Sequence, residues 1–419
     1  LKTKVGMLSL GCARNLVDSE VMLGRLKKAG FKVVEEIEGA DVAIVNTCCF
    51  IREAEEESID IILKLCQLKQ EGKINKIIVC GCLPQRYKSE LADELKEVDA
   101  FVGAGGLYTH NSPREFLTPQ HFAYVKISEG CNHRCSYCII PALRGRHRSR
   151  PLDSIIQEAD KLFNRRAVSE IDLIGQDTTM YGQDLYGQGR IARLLAKVSK
   201  KAKGKWVRLL YAHPAHFSKE LIRVIKEEPA VCKYIDLPIQ HINDKILSRM
   251  KRGTSRKQIL SLIDRLRKEI PHLAVRTTLI VGFPGETEAQ FRELLRFIQD
   301  ARFERLGLFK YSKEKGSLAY NFTAQIPQKI KQSRYEQALS LQQDICVEIN
   351  QGFLGKTVCV LIDEQDAQDK DIYIGRSEYD APEVDGCIYV HSKKKLKSGE
   401  FINVRITDTL EYDLVGEAA

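Results

Sequence analysis

Apolar positions along this chain change register twice. Over residues 1–110, short apolar runs alternate with stretches of helical period, predicting strands at Lys4–Leu10, Asp41–Thr47 and Lys76–Gly81 with helices between them. Asn15 is placed as the cap of the first helix, with Asp18 and Glu20 in its opening turn. A polar segment holding Gly103, Gly105, Gly106 and Pro113 reads as a linker. The alternation resumes from about 120 to 345, with strands expected at Phe122–Ser128, Ser169–Gly175, Trp206–Ala212, Tyr234–Ile239, Ala274–Val281 and Glu304–Tyr311. Ser255 with Gln258, and Thr287 with Gln290, have the spacing of capping boxes at two helix starts. From about 349 the runs shorten to Lys356–Asp363, Ile372–Ser377, Gly386–His391, Phe401–Thr407 and Glu411–Glu417, separated by polar turns.

These registers predict an α/β protein in three parts. Residues 1–112 form a parallel α/β domain, 117–347 a partial six-unit β/α barrel of the TIM kind, and 349–417 an OB-like β-barrel. A length of 419 residues agrees, because one hydrophobic core rarely serves so long a chain. No apolar run is long enough to cross a bilayer, and the opening residues read as a strand entering a loop rather than a secretory signal. A cytoplasmic protein with no membrane partner is expected. In that reducing compartment the 13 cysteines are not a disulfide framework, so their spacing is what matters.

The strongest pattern is Cys131-Asn-His-Arg-Cys135-Ser-Tyr137-Cys138, just after the first strand of the six-unit array. Three thiolates so spaced hold three irons of a 4Fe–4S cluster and leave the fourth open, the mark of a catalytic rather than structural metal site. A zinc knuckle would use similar spacing but does not call for a barrel. His133, inside the loop, reads as a pocket neighbour rather than a ligand. A second group is Cys12, Cys48 and Cys82, each where an N-terminal strand ends. Parallel strands share a direction, so these ends meet along one sheet edge. Cys49 and Cys80 are rivals for the same role, Cys80 because alternate strand residues face one way. Cys66, Cys232, Cys346, Cys359 and Cys387 have no comparable context and read as structural.

The CxxxCxxC loop resembles that of the radical S-adenosylmethionine (SAM) superfamily. The resemblance implies that Tyr137 packs near the adenine, that Gln176 and Asp177 lie by the SAM amino group, and that the turn Gly282-Phe-Pro-Gly-Glu-Thr287 walls the pocket. Leu10-Gly11-Cys12-Ala-Arg-Asn15, Asn46-Thr-Cys48 and Gly81-Cys82-Leu-Pro-Gln85 resemble the N-terminal signatures of the methylthiotransferase family. That likeness covers essentially the whole chain and implies Cys12, Cys48 and Cys82 as ligands of a second, auxiliary 4Fe–4S cluster. It makes the C-terminal barrel a TRAM domain. Within the family, Leu10–Glu20 and Gly375–Gly386 resemble the ribosomal-protein (RimO-like) branch. The branch implies methylthiolation of an aspartate β-carbon in small-subunit ribosomal protein S-twelve, with a second SAM as methyl donor and a reductant such as flavodoxin or ferredoxin. The rivals are a tRNA methylthiotransferase and a non-catalytic iron–sulfur sensor that binds RNA.

Charge bears on that choice. The net charge is +9, but residues 350–419 hold 14 acidic against 8 basic residues, a balance of −6 that leaves +15 for the rest. An acidic barrel suits a basic protein and repels phosphates, so tRNA is not expected as partner. Glu378, Asp380, Glu383 and Asp385 are the expected docking residues. Arg144, Arg146, Arg148 and Arg150, on alternate positions, point the other way if an extended segment sets them on one side toward phosphate, but they serve equally to bind the SAM carboxylate or acidic groups within the protein.

Overall fold

The computed structural model describes residues 2–419. Its first unit is a five-stranded sheet in the order Lys32–Val34, Lys4–Ser9, Val42–Thr47, Lys76–Gly81, Ala100–Val102. All neighbours pair in parallel, so the three strand ends expected to carry cysteines do lie on one edge. The short outer strands, absent from the sequence reading, are mostly half-buried and lack a long apolar run.

The second unit has six parallel strands in two three-stranded sheets. Phe122–Lys126, Glu170–Ile174 and Trp206–Leu209 form one, and Tyr234–Asp236, Ala274–Val281 and Arg305–Lys310 the other. Backbone bonds from Cys232 N to Val207 O (3.0 Å) and from Ala212 N to Asp236 O (3.0 Å) join them into one curved wall. Both expected capping boxes are present, at Ser255 with Gln258 and at Thr287 with Gln290. The outward strand residues, such as Val125, Ile171, Val207 and Val275, form the main core with the surrounding helices. Inward positions are different. Phe122, Tyr124, Trp206 and Tyr234 pack with Val17 and Val21 of the helix Ala13–Lys28 and with Leu361 and Ala381 of the C-terminal unit. The open barrel is therefore filled by both neighbouring units rather than by its own side chains alone.

The third unit is a closed five-stranded barrel in the order Thr357–Gln365, Ile372–Ser377, Ile388–His391, Leu414–Ala418, Phe401–Thr409. Closure removes the sheet edges. Among the described residues, no helix is long and apolar enough to cross a membrane.

Two sequence expectations change here. Asn15 is not the helix cap: the helix begins at Ala13 behind Cys12, and Asn15 lies inside it. The segment after Gly103 is not a loose tether either. Tyr108 is buried against Glu158, and Arg114 donates to both Glu20 and Glu158, so the connection is fastened to each unit it joins.

Candidate functional site: two cysteine clusters facing a shared wall

Cys12, Cys48 and Cys82 stand at the C-terminal edge of the first sheet because two glycines turn the chain sharply there. Gly11 has φ +86°, and a Cβ on it would lie 2.6 Å from the Cys48 Cβ. Gly81 has φ +98°, and a Cβ there would meet Asn46 Oδ1 at 2.3 Å. Only glycine adopts such a φ without strain and leaves that room. Asn15 Nδ2 donates to Leu10 O (2.8 Å) and Thr47 O (3.0 Å), and Asn46 Nδ2 donates back to Asn15 O (2.9 Å). The asparagines of the two motifs thus fasten the loops of Cys12 and Cys48 together.

Cys80 is on the other side. Gly81 breaks the strand and Cys82 opens the helix Cys82–Glu94, so the alternation that linked Cys80 to Cys82 does not apply. Cys80 packs with Val5 and Ile44 on the opposite face of the sheet. Cys49 is fully buried in the core shared with Cys82, and burial pushes its thiol above the usual range.

Cys131, Cys135 and Cys138 line a cavity of about 220 Å³ at the C-terminal ends of the barrel strands, together with Tyr137, Gln176, His213 and Arg252. Each sulfur faces an N–H. His133 N approaches Cys131 Sγ at 3.4 Å, Ile140 N approaches Cys138 Sγ at 3.4 Å, and Arg252 Nη1 approaches Cys135 Sγ at 3.7 Å. Arg144 Nη2 does the same for Cys82 at 3.3 Å. Donors aimed at sulfur favour the anionic thiolate that iron ligation requires, so both sets fit an iron–sulfur cluster. Without metal, burial pushes Cys131 up to about 11 and Cys138 up to about 12, and Cys48 likewise to about 11. Cys12 runs the other way: burial opposes its ionisation, but Arg14, the Asn15 backbone N–H and Arg144 outweigh it and hold the thiol below its ordinary value.

Of the residues expected near SAM, Tyr137 and Gln176 line this cavity, and Glu129 Oε1 fixes Gln176 at 2.5 Å. Asp177 is set behind it. Its carboxylate accepts from His133 Nε2 (2.6 Å), His216 Nδ1 (3.1 Å) and the Thr179 backbone N–H (2.9 Å). Burial works against that charge, but those bonds hold it far below the usual carboxylate range. His213, stacked on His133 at 4.2 Å, is pushed down to about 2 by burial and by Arg252. The turn 282–287 does not wall the cavity. Glu286 closes it on itself, accepting from the Phe283 backbone N–H at 3.1 Å, and Gln240 and Thr278 take its place.

The expected docking carboxylates turn inward. Asp380 pairs with Arg305 and accepts from Ser377 Oγ at 2.6 Å. Asp385 accepts from Tyr234 Oη (2.6 Å) and Arg276 Nε (3.2 Å), and Glu378 Oε2 takes the Lys233 backbone N–H at 2.8 Å. Glu383 alone is exposed, although it too accepts a bond, from Tyr124 Oη at 2.7 Å. The loop answers the arginines inside the barrel because an unpaired buried guanidinium costs far more than a surface one. Nor do the alternating arginines share a face. Arg144 is buried against Asp18, Arg150 against Glu158, and only Arg146 and Arg148 are exposed. The helix Ile140–Arg144 ends at Gly145, so the segment is not one extended strand.

Sequence reasoning missed the inner arginines, although Arg208, Arg276 and Arg305 interrupt otherwise apolar strands at inward positions, and that interruption was the signal. It also missed Arg14 and Arg252, which carry no local signal. Arg14 sits beside Cys12, donates to Gly175 O at 2.9 Å, and lies 4.5 Å over the Tyr211 ring. A second cavity, about 500 Å³, opens behind that ring and is lined by Cys12, Tyr234, Arg276 and the lip Pro382-Glu383-Val384. Tyr211 and Thr278 line both cavities.

Comparison with known proteins agrees with this arrangement. Residues 125–298 match the radical SAM superfamily model, 4–103 the model described as uncharacterized protein family UPF0004, and 354–419 the TRAM domain. The ribosomal protein uS12 methylthiotransferase RimO of Desulforamulus reducens is 46% identical over 99% of both chains. That of Heliobacterium modesticaldum is 46% identical over 100% of this chain and 95% of its own. The chain belongs to the RimO family of radical SAM proteins. In fold it is similar to the radical SAM methyltransferase TsrM of Kitasatospora setae, with TM-score 0.56 at 13% identity, covering 82% of this chain and 89% of that one.

Proposed function

We propose that the chain is a radical SAM methylthiotransferase whose substrate is ribosomal protein uS12, modified at the β-carbon of an aspartate. The observation that carries this reading is the wall common to the two cysteine cavities, built by Tyr211 and Thr278. On one side of that wall lie Cys131, Cys135 and Cys138, and on the other lies Cys12, so a substrate side chain seated there stands between the two sets.

Cys131, Cys135 and Cys138 would hold a 4Fe–4S cluster, which would supply the electron for reductive cleavage of SAM, and Cys12, Cys48 and Cys82 would hold a second, which would supply an open iron for sulfur. The protein's own groups position and shield. Arg252, beside Cys135 and otherwise bonded to Pro238 O, is placed to hold the SAM carboxylate. Tyr137 offers its ring to the adenine, and Gln176 faces the same space. Asp177 orients His133 and so braces the loop between Cys131 and Cys135. The helix Ala13–Lys28 and the TRAM lip fill the open side of the barrel, which keeps a radical from C–H and S–H groups other than those of the substrate. Electrons come from a small reductant such as flavodoxin or ferredoxin.

One anaerobic assay tests the reading. The loaded protein is given SAM, reductant and either purified uS12 or tRNA, with mass spectrometry of both products. Methylthiolated uS12 with unmodified tRNA is the expected outcome. Methylthiolated tRNA with unmodified uS12 overturns it, and absence of 5′-deoxyadenosine in both arms overturns the radical chemistry itself.

A further inference from the structure

We propose that Arg14 reads the carboxylate of the target aspartate, so that the protein selects aspartate over its amide at the wall between the two cavities. The inference rests on the uS12 reading above and deepens it.

Buried guanidiniums in this protein are almost all answered by a carboxylate. Arg114 pairs with Glu20, Arg144 with Asp18, Arg305 with Asp380 and Arg376 with Glu170. Arg14 is not. Among the described residues its charged surroundings are Cys12, Tyr211 and a repelling Arg144, with no carboxylate. One of its N–H groups goes to Gly175 O, and its flat face rests on Tyr211. A further donor faces the Cys12 sulfur, no carboxylate takes the rest, and the group borders the cavity that holds Cys131, Cys135 and Cys138. A guanidinium with free, parallel N–H donors is the natural partner of a planar carboxylate.

Position makes that partner the substrate. Two carboxylates must enter this site, one on SAM and one on the aspartate, and two guanidiniums with no carboxylate in ion-pair contact border it. Arg252 lies against Cys135, on the SAM side. Arg14 follows Cys12 by two residues and lies on the side of the auxiliary cysteines. A carboxylate held by Arg14 places its adjacent β-carbon along the Tyr211 wall, between Cys12 and the cavity of Cys131, Cys135 and Cys138. The rival role for Arg14 is to balance the charge of iron-bound Cys12. That role predicts a change in the auxiliary cluster, whereas carboxylate recognition predicts a change in what binds.

The test uses the anaerobically loaded full chain, as wild type, Arg14→Gln and Arg14→Lys. The probes are two synthetic uS12 loop peptides, one with the target aspartate and one with asparagine in its place. Binding is read by fluorescence anisotropy, and KM and kcat by 5′-deoxyadenosine and methylthio-peptide. Iron content and the cluster electron paramagnetic resonance signal serve as controls. Wild type is expected to bind the aspartate peptide roughly 10-fold or more tightly than the asparagine peptide, the scale of one charged hydrogen-bonded pair. R14Q is expected to lose that preference, chiefly through KM, with iron and signal unchanged, and R14K to recover part of it. Wild type that modifies uS12 while R14Q keeps its preference overturns the role of Arg14 alone. So does an R14Q whose auxiliary signal shifts while its preference survives. Wild type indifferent to both peptides overturns the role together with the substrate reading.

Discussion

Arg376 Nη1 donates to Glu170 Oε2 at 2.7 Å, with both side chains closed off from water. The bond joins the C-terminal barrel to the floor of the radical SAM barrel, and Arg208 Nε holds the other oxygen of Glu170 at 2.8 Å. Together with the pairs of Asp380 and Asp385, it directs the acidic loop of the TRAM domain toward the chain's own arginines.

Removing one partner tests that joint. Arg376→Met should destabilise the protein by about 3–5 kcal/mol, because Glu170 then keeps its charge in a buried site with one arginine fewer. The pH dependence has a definite sign. Burial alone would raise the Glu170 carboxyl, but Arg376 and Arg208 outweigh it and lower it to about 2 from 4.5. Its stabilisation is therefore complete above pH 4.5 and is lost as the pH falls toward about 2. Urea unfolding midpoints measured between neutral pH and pH 3 should fall less steeply for Arg376→Met than for wild type. Parallel acid limbs would show that the pair is not the joint.

Charge reversal of the acidic loop separates an internal role from a docking one. Asp380→Lys and Asp385→Lys should each lower the melting temperature markedly, since each leaves a buried arginine facing another cation. Glu383→Lys, at an exposed position, should cost less than about 1 kcal/mol. Equal melting temperatures for all three, with uS12 association slowed in each, would restore the loop as a docking surface. Thermal denaturation and stopped-flow association decide it.

The two cysteine sets should be independent in metal content. Replacing Cys131, Cys135 and Cys138 with alanine should halve the iron of anaerobically reconstituted protein and abolish SAM cleavage. Replacing Cys12, Cys48 and Cys82 should halve the iron while 5′-deoxyadenosine still forms, without methylthio transfer. Cys80→Ser should keep full iron, because Cys80 packs with Val5 and Ile44 across the sheet from Cys82. Iron analysis with activity on the same samples checks all three, and a Cys80→Ser protein with half the iron would reverse that assignment.

By itself the sequence determined the α/β class, the sheet-then-barrel order and the CxxxCxxC pattern, while resemblance rather than spacing singled out Cys12, Cys48 and Cys82 from Cys49 and Cys80. Those features are written in local signals: apolar period, glycines at strand ends and ligand spacing within a loop. Even the C-terminal strands read at Ile372–Ser377 and Phe401–Thr407 are present, the second extending to Thr409. What it did not determine was the direction in which a charge faces. Asp380 and Asp385 looked like surface acids because their partners, Arg305 and Arg276, are 75 and 109 residues away in the chain. Arg144 and Arg150 fitted an exposed phosphate-binding row as well as an internal role, and only the fold turns each inward to a separate carboxylate. Cys80 and Cys82 looked equivalent until Gly81 ended the strand between them. Local pattern reports how a backbone repeats, but the pairing of charges depends on which distant segments are brought into one low-dielectric space. Only tertiary packing makes that choice, and it is packing that leaves Arg14 without a carboxylate between two cysteine sets.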